Sequence, residues 1–160
     1  MKTPDGIVVG EHQGLMYYTL GQRQGLGIGG LKEASDEPWY VAGKDLASNA
    51  LLVVQGDHPL LYSGSLEAAE PHWIGPVPEL LAAGQVLDCA VKIRYRQDDQ
   101  PCSVTAIGEN RLDVTFATPQ AAVTPGQFAV FYAADRCLGG AVIDLAGIAE
   151  TAKDALRKTG

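Results

Sequence analysis

The sequence predicts an all-β protein, in which a small β domain precedes an antiparallel β-barrel of about six strands. Short apolar and β-branched runs recur along the chain, and Gly, Pro, Asn and Asp separate them, as in proteins built of many short strands. In one run, Leu112, Val114 and Phe116 alternate with Asp113 and Thr115. This period of two predicts a strand with one buried face and one solvated face.

Seven runs carry the strand pattern. They are residues 38–42, 51–55, 86–97, 102–107, 111–117, 127–132 and 137–143. Between the fourth and fifth runs lie Gly108, Glu109 and Asn110. Because Gly and Asn tolerate a positive φ, these three residues predict a tight hairpin between the two strands.

The chain divides near residues 62–66, where the sequence LLYSGSL changes character. We expect a first domain over residues 1–63 and the barrel over residues 66–144. Residues 75–84 contain two prolines and then a short helix-compatible patch that ends at Gly84. Residues 145–160 form an Ala-rich tail with acids before bases, which favours a short C-terminal helix, although a frayed end fits equally well.

Composition and charge restrict the function classes. No apolar run approaches the roughly 20 residues of a membrane span, and the N-terminus lacks the apolar region of a secretory signal. We therefore expect a cytoplasmic protein without a membrane partner. The formal net charge of -7 argues against tight non-specific binding to nucleic acid, which requires many cations to displace phosphate counterions. Any nucleic-acid contact must be local.

Neither the cysteines nor the histidines indicate a metal site or a catalytic set. The three cysteines are Cys89, Cys102 and Cys137, an odd number at wide spacings. We expect them to be small buried hydrophobic residues, with reactive thiols as the alternative. The histidines His12, His58 and His72 are isolated, and His12 fits a hydrogen-bonded loop residue better than a metal ligand. With no Ser/His/Asp set, P-loop or paired carboxylates, the chain offers no catalytic residue.

The glycine-rich segment GQRQGLGIGG at residues 21–30 contains a literal G-x-G-x-x-G motif. A dinucleotide site would require this motif to open a helix, but Pro38 soon interrupts the following sequence. This disfavours a dinucleotide oxidoreductase. Two interpretations stay open: a flexible glycine loop between strands, or a loop whose backbone approaches a bulky ligand with Gln22 and Arg23 as polar contacts.

The sequence KIRYRQ predicts a strand face rich in positive charge. Alternation places Lys92, Arg94 and Arg96 on one face, and Ile93 and Tyr95 on the other. A phosphate would bind well to the basic face, but a charged solvent face is also ordinary in antiparallel sheets.

The sequence TPGQ at residues 124–127 has Pro at the second and Gly at the third position, the signature of a type II turn. Such a segment is most often only a turn. Gln127, which ends it, could nonetheless reach a base or sugar edge.

Five blocks together resemble the bacterial tRNA-specific 2-thiouridylase family, which also carries an older description as a tRNA methyltransferase. They are GEHQGLMYYTLGQRQGLGIGG, PWYVAGKD, NALLVVQGDHP, KIRYRQDDQPC and AVTPGQFAVFYAADRCLGG, in order between residues 10 and 143. The resemblance implies that ATP activates C2 of the wobble uridine in an N-terminal domain, and that a cysteine persulfide then supplies sulfur. It extends only to the family's central β domain, truncated on its N-terminal side, and its C-terminal barrel.

The resemblance also implies a set of tRNA contacts. Arg94, Tyr95 and Gln127 match barrel positions that touch tRNA. Adjacent residues of a regular strand face opposite sides, so the strand must end or twist near Tyr95, or Tyr95 must stack at an edge. The residues expected next nearest to tRNA are Lys92, Arg96, Gln22 and Arg23.

The implied role is to hold the anticodon arm of tRNA for an enzyme whose chemistry lies elsewhere. The resemblance implies no cofactor or metal in this segment, and assigns ATP and a sulfur-relay protein to the parent enzyme. Cys89, Cys102 and Cys137 occupy barrel positions and are not expected to be nucleophiles or persulfide carriers. We expect the isolated segment to be inactive. The alternative is a stand-alone barrel like those of translation factors, binding RNA or protein.

Overall fold

The computed structural model describes residues 1–29 and 36–148 of the 160-residue chain. Within these residues the chain is almost entirely strand and loop, which confirms the all-β prediction. The strands are β1 (Trp39–Asp45), β2 (Ala50–Gln55), β3 (Tyr62–Trp73), β4 (Leu87–Lys92), β5 (Gln100–Ala106), β6 (Arg111–Ala121), β7 (Phe128–Ala133) and β8 (Arg136–Ile148). The helical elements are 3-10 turns at Leu15–Tyr17 and Pro59–Leu61 and a single-turn helix, α1 (Glu79–Ala82).

The described residues form two compact units, Met1–Tyr62 and Ser63–Ile148. In the first unit, β1 and β2 pair in antiparallel fashion. Val41 and Leu51 from these strands are completely buried and pack with Tyr18. A small apolar core therefore holds this hairpin against the loops that precede it.

The second unit is a closed barrel with the strand order β3-β6-β5-β4-β7-β8. The prediction of about six strands is thus confirmed. Alternate residues point inward, and Leu66, Phe131 and Ile143 are among the largest completely buried side chains. The Phe131 ring lies 5.8 Å from that of Trp73, centroid to centroid. Closure leaves the sheet without an unpaired edge, so backbone hydrogen bonds continue around the barrel.

Two local predictions within the barrel are confirmed. The β5–β6 hairpin closes with the amide of Ile107 donating to the carbonyl of Arg111 at 2.9 Å. In β6, Leu112, Val114 and Phe116 are buried, as their alternation predicted. No helix in the described residues is long and apolar enough to cross a membrane.

The structure differs from the predicted strands in three places. β3 was not predicted as a strand, because its small and polar residues lack a strong apolar alternation. The run predicted over residues 86–97 is a strand only at Leu87–Lys92. β8 continues to Ile148 because its last residues pair with the start of β3, so residues 145–148 of the predicted tail are strand. The rest of that tail, 149–160, lies outside the described residues.

Candidate nucleic-acid interface

The chain leaves β4 in a tight turn. The amide of Gln97 donates to the carbonyl of Arg94 at 3.3 Å, and Arg96, at the third position, has a φ of 68°. The Gln97 side chain then accepts from the amide of Ile93 at 3.0 Å. These bonds replace the ladder bonds that a longer strand would make, so the strand predicted through Gln97 ends at Lys92.

The turn overturns the predicted two-faced strand. Ile93 is 3% exposed, whereas Tyr95 is 91% exposed, so these two residues do not share a face. Arg94 and Arg96 are both exposed. The turn therefore explains how adjacent Arg94 and Tyr95 can both face solvent, which a regular strand would not allow.

A second turn positions Gln127. The amide of Gln127 donates to the carbonyl of Thr124 at 3.2 Å, and Gly126 has a φ of 87°, as the predicted type II turn requires. The carbonyl of Gln127 accepts from the amide of Ile143 at 2.7 Å, which fixes this residue against β8. Its side chain is exposed.

Both turns lie at the same end of the barrel. Lys92, the last residue of β4, pairs with Val130 in β7, three residues after Gln127. The Arg94 guanidinium donates to the carbonyl of Ala121, where β6 enters the second turn. We call this surface, formed by residues 93–99 and 122–128, the Tyr95 end. The structure thus brings together the three predicted contact residues Arg94, Tyr95 and Gln127.

A buried glutamine supports the Tyr95 end from below. Gln120 is 8% exposed and accepts a hydrogen bond from the Gln97 side chain at 2.9 Å. Its own side-chain nitrogen donates to the Gln100 side chain at 2.9 Å and to the carbonyl of Thr118 at 2.8 Å. The first turn is therefore held to β6 by side-chain amides as well as by Arg94. Sequence reasoning missed Gln120, because nothing local marks its contact with residues 20 or more positions away.

The basic side chains at the Tyr95 end differ in how far neighbouring groups compensate their charge. Lys92 lies 3.2 Å from the carboxylate of Asp99 and 5.2 Å from the ring centroid of Tyr132. Its charge is therefore partly compensated. The Arg96 guanidinium lies 5.5 Å from the Tyr95 ring centroid, within cation–π range, so an exposed cation and an exposed aromatic face lie together.

Phe128 is a further exposed aromatic residue that sequence reasoning missed. It follows Gln127 directly and is 64% exposed, while Ala129 and Phe131 in the same strand are completely buried. The alternation of β7 could have predicted its exposure, since Phe128 lies on the outward-facing phase of the strand and its side chain cannot pack in the barrel core.

Gln22 and Arg23 belong to the first unit. The Gln22 side chain accepts from the amide of Thr19 at 2.9 Å and donates to the carbonyl of Gln24 at 2.9 Å. Gln22 therefore stabilises its own loop, whereas Arg23 is exposed. Residues 21–29 contain neither helix nor strand, and the last glycine of the motif lies outside the described residues.

The surrounding structure accounts for His12, Cys89 and Cys102. His12 contacts the carbonyl of Asn49 through Nε2 at 2.9 Å and accepts from the amide of Gly14 at Nδ1, which confirms a hydrogen-bonded loop histidine. Cys102 is buried in the barrel core and Cys89 packs partly buried against it.

Comparison with known proteins matches both units. Residues 63–143 match the family model described as an aminomethyltransferase beta-barrel domain, and residues 1–55 match the tRNA methyl transferase PRC-barrel domain. The tRNA-specific 2-thiouridylase MnmA of Methylococcus capsulatus is 57% identical over 159 residues, which cover 97% of this chain and 42% of the relative. The chain belongs to the tRNA-specific 2-thiouridylase family.

Other members of the 2-thiouridylase family are nearly as similar. The protein of Vibrio cholerae is 54% identical over 145 residues, covering 90% of this chain and 38% of its own length. That of Yersinia pestis is 57% identical over 143 residues, covering 89% of this chain and 38% of its own length. The chain thus spans about two fifths of the curated relatives it matches. The resemblance stated from the sequence is confirmed.

Proposed function

We propose that this chain is the tRNA-holding part of a cytoplasmic tRNA uridine 2-sulfurtransferase. In this proposal, the Tyr95 end contacts the anticodon arm and holds it so that the wobble uridine is thiolated at C2. The observation that carries the proposal is the exposed turn of Arg94, Tyr95 and Arg96 beside exposed Gln127.

The side chains at the Tyr95 end suit a single-stranded RNA loop. Unpaired bases stack on aromatic rings and on guanidinium planes, and Tyr95 and Arg96 offer both. A guanidinium has five N–H donors, so Arg94 can hold the carbonyl of Ala121 and still donate to a phosphate. The Gln127 amide has both donors and an acceptor for a base or sugar edge.

We assign the ATP-dependent activation and the persulfide chemistry to the part of the relatives that this chain does not match. A sulfur-relay partner would act there as well. The 2-thiouridylase relatives favour this role over a stand-alone, translation-factor-like barrel.

The test is the affinity of the chain for a fluorescently labelled anticodon stem-loop that carries the wobble uridine, measured by anisotropy at low salt. Tyr95→Ala should weaken binding about 5- to 150-fold, because stacking contributes about 1–3 kcal/mol per base. Arg94→Ala should also weaken binding, with near-ultraviolet circular dichroism showing that the barrel stays folded. The matched control is Arg136→Ala, which removes an exposed arginine at the β7–β8 turn, at the other end of those strands.

Salt dependence provides a second measurement. Because the chain has a net charge of -7, binding should be weak and should rest on about one to three phosphate contacts, which the slope of log affinity against log salt reports. Unchanged affinity in both Tyr95→Ala and Arg94→Ala would disprove the assignment. An equal loss in Arg136→Ala would place the RNA elsewhere on the barrel.

A further inference from the structure

Two of the three cysteines face each other across neighbouring strands. Cys89 in β4 is the direct antiparallel partner of Cys102 in β5, and their Sγ atoms lie 3.7 Å apart. The Cα atoms of such partners are separated by about 4.5–5.5 Å. That separation falls within the range of about 4.4–6.8 Å that a disulfide spans, so the two strands need not move apart or together to be linked.

The two thiols differ in reactivity. The hydrogen bond between the two thiols lowers the pKa of Cys89, against the opposing effects of burial and of Asp88. The same hydrogen bond raises the pKa of Cys102, and burial adds to this effect. Cys89 is therefore the thiol that ionises more readily, and the thiolate is the form that attacks disulfides.

A pocket lies beside the pair. It has a volume of about 290 Å³, and both cysteines line it together with Ser103 and Phe116. The Ser103 hydroxyl donates to the Asp88 carboxylate at 2.6 Å, which holds that acid at the edge of the pocket. Cys89 is partly exposed, so it is the member of the pair that a small molecule can meet, whereas Cys102 is 5% exposed and lies behind it in the core.

We infer that Cys89 and Cys102 form a thiol–disulfide exchange site for low-molecular-weight disulfides such as glutathione disulfide. The Cys89 thiolate attacks one sulfur of the small disulfide, forms a mixed disulfide and releases one thiolate, which takes up a proton. Cys102 then loses its proton and attacks Sγ of Cys89, which releases the second small thiol. Two protein thiols are oxidised and one small disulfide is reduced to two thiols, so atoms and electrons balance.

The site lies at the base of the connection that carries Arg94 and Tyr95. A bond between residues 89 and 102 would enclose that connection in a covalent loop and tie β4 to β5 two residue pairs before the last pair of their ladder, Val91 with Gln100. Only the two thiols take part in the exchange, which therefore does not depend on RNA binding.

The test uses the unmutated chain, oxidised with glutathione disulfide at neutral pH, alkylated and digested with trypsin. Cleavage after Lys92, Arg96 and Arg136 places the three cysteines on separate peptides. We expect a product lighter by two hydrogen atoms, in which the peptides of Cys89 and Cys102 are joined and Cys137 is alkylated. The joined product should be about tenfold more abundant from the folded chain than from chain oxidised in guanidinium, because folding raises the effective concentration of the two thiols.

Variants separate the two steps of the exchange. Cys137→Ser should form the same crosslink at the same rate, as the matched control. Cys102→Ala should stop at the mixed disulfide and gain the mass of one glutathione on Cys89. If the folded, unmutated chain instead keeps a stable glutathione adduct on Cys89, or three free thiols, the pair is not an exchange site.

Discussion

Replacing Gln120 with alanine should destabilise the barrel by about 2 kcal/mol and loosen the turn that presents Tyr95. The change removes three hydrogen bonds, to Gln97, Gln100 and the carbonyl of Thr118. Each contributes about 0.5–1.5 kcal/mol net, which sets an upper bound of about 4.5 kcal/mol. Gln97 and Gln100 are only partly buried and can bind water instead, so the expected loss of about 2 kcal/mol lies near the lower end of the range.

Urea unfolding followed by tryptophan fluorescence measures this loss. The chain has two tryptophans, so a Trp39→Phe background leaves Trp73 in the barrel as the reporter. With a slope of about 2 kcal/mol per molar urea, the midpoint should fall by about 1 M. Gln85→Ala, at an exposed glutamine of the same unit, is the control and should shift the midpoint by less than about 0.3 M.

The double variant distinguishes a network from separate contacts. In Gln97→Ala, the Gln120 change should cost about 1 kcal/mol less than in the unmutated barrel, because one shared bond is already absent. Equal midpoints for Gln120→Ala and Gln85→Ala would refute the reasoning that this network supports the turn.

Three further outcomes are expected. Gly139→Ala should destabilise the barrel by several kcal/mol, because an added Cβ would overlap the carbonyl oxygen of His72. In the control Gly75→Ala, the added Cβ meets no atom within 4 Å, so the change should be nearly neutral. Similar urea midpoints for the two variants would contradict this. Burial lowers the pKa of His58, whose Nδ1 accepts from the amide of Leu60. Neutral His58 therefore stabilises the folded state fully above about pH 6.5, and this stabilisation is lost as the pH falls through the folded-state pKa. His58→Asn keeps a capping oxygen without that titration, and its melting temperature should fall less between about pH 8 and pH 5; an identical fall would exclude His58 as the source. Finally, the purified chain with ATP and a persulfide donor should form no 2-thiouridine in tRNA, and mass analysis of the nucleosides that found the product would refute this.

Local signals predicted the parts of the fold that short stretches of sequence encode. The hairpin before Arg111 follows from residues that tolerate positive φ, and the turn before Gln127 follows from Pro and Gly at the required positions. The buried face of β6 follows from its alternation. By contrast, β3 has no such alternation and becomes a strand because β6 and β8 pair with it on both sides.

The candidate site shows the same division. Alternation placed Arg94 and Arg96 on a strand face that does not exist. The TPGQ turn pointed to Gln127, and the family resemblance added Tyr95. Phe128 could have been found from the phase of β7 but was not. Gln120 could not have been found from the sequence, since its role depends on contacts with Gln97 and Gln100, which are 20 or more positions away.

The sequence by itself determined the all-β class, the β5–β6 hairpin, the turn before Gln127 and the family, since period-two patterns, turn residues and long motifs are properties of neighbouring residues. Only the tertiary structure decided where β4 ends. Ile93 enters the core, its amide binds the side chain of Gln97, and Gln97 in turn binds Gln120 on another strand. Contacts between residues far apart in sequence outweighed the local strand preference of KIRYRQ, and for that reason Tyr95 lies exposed in a turn beside Gln127.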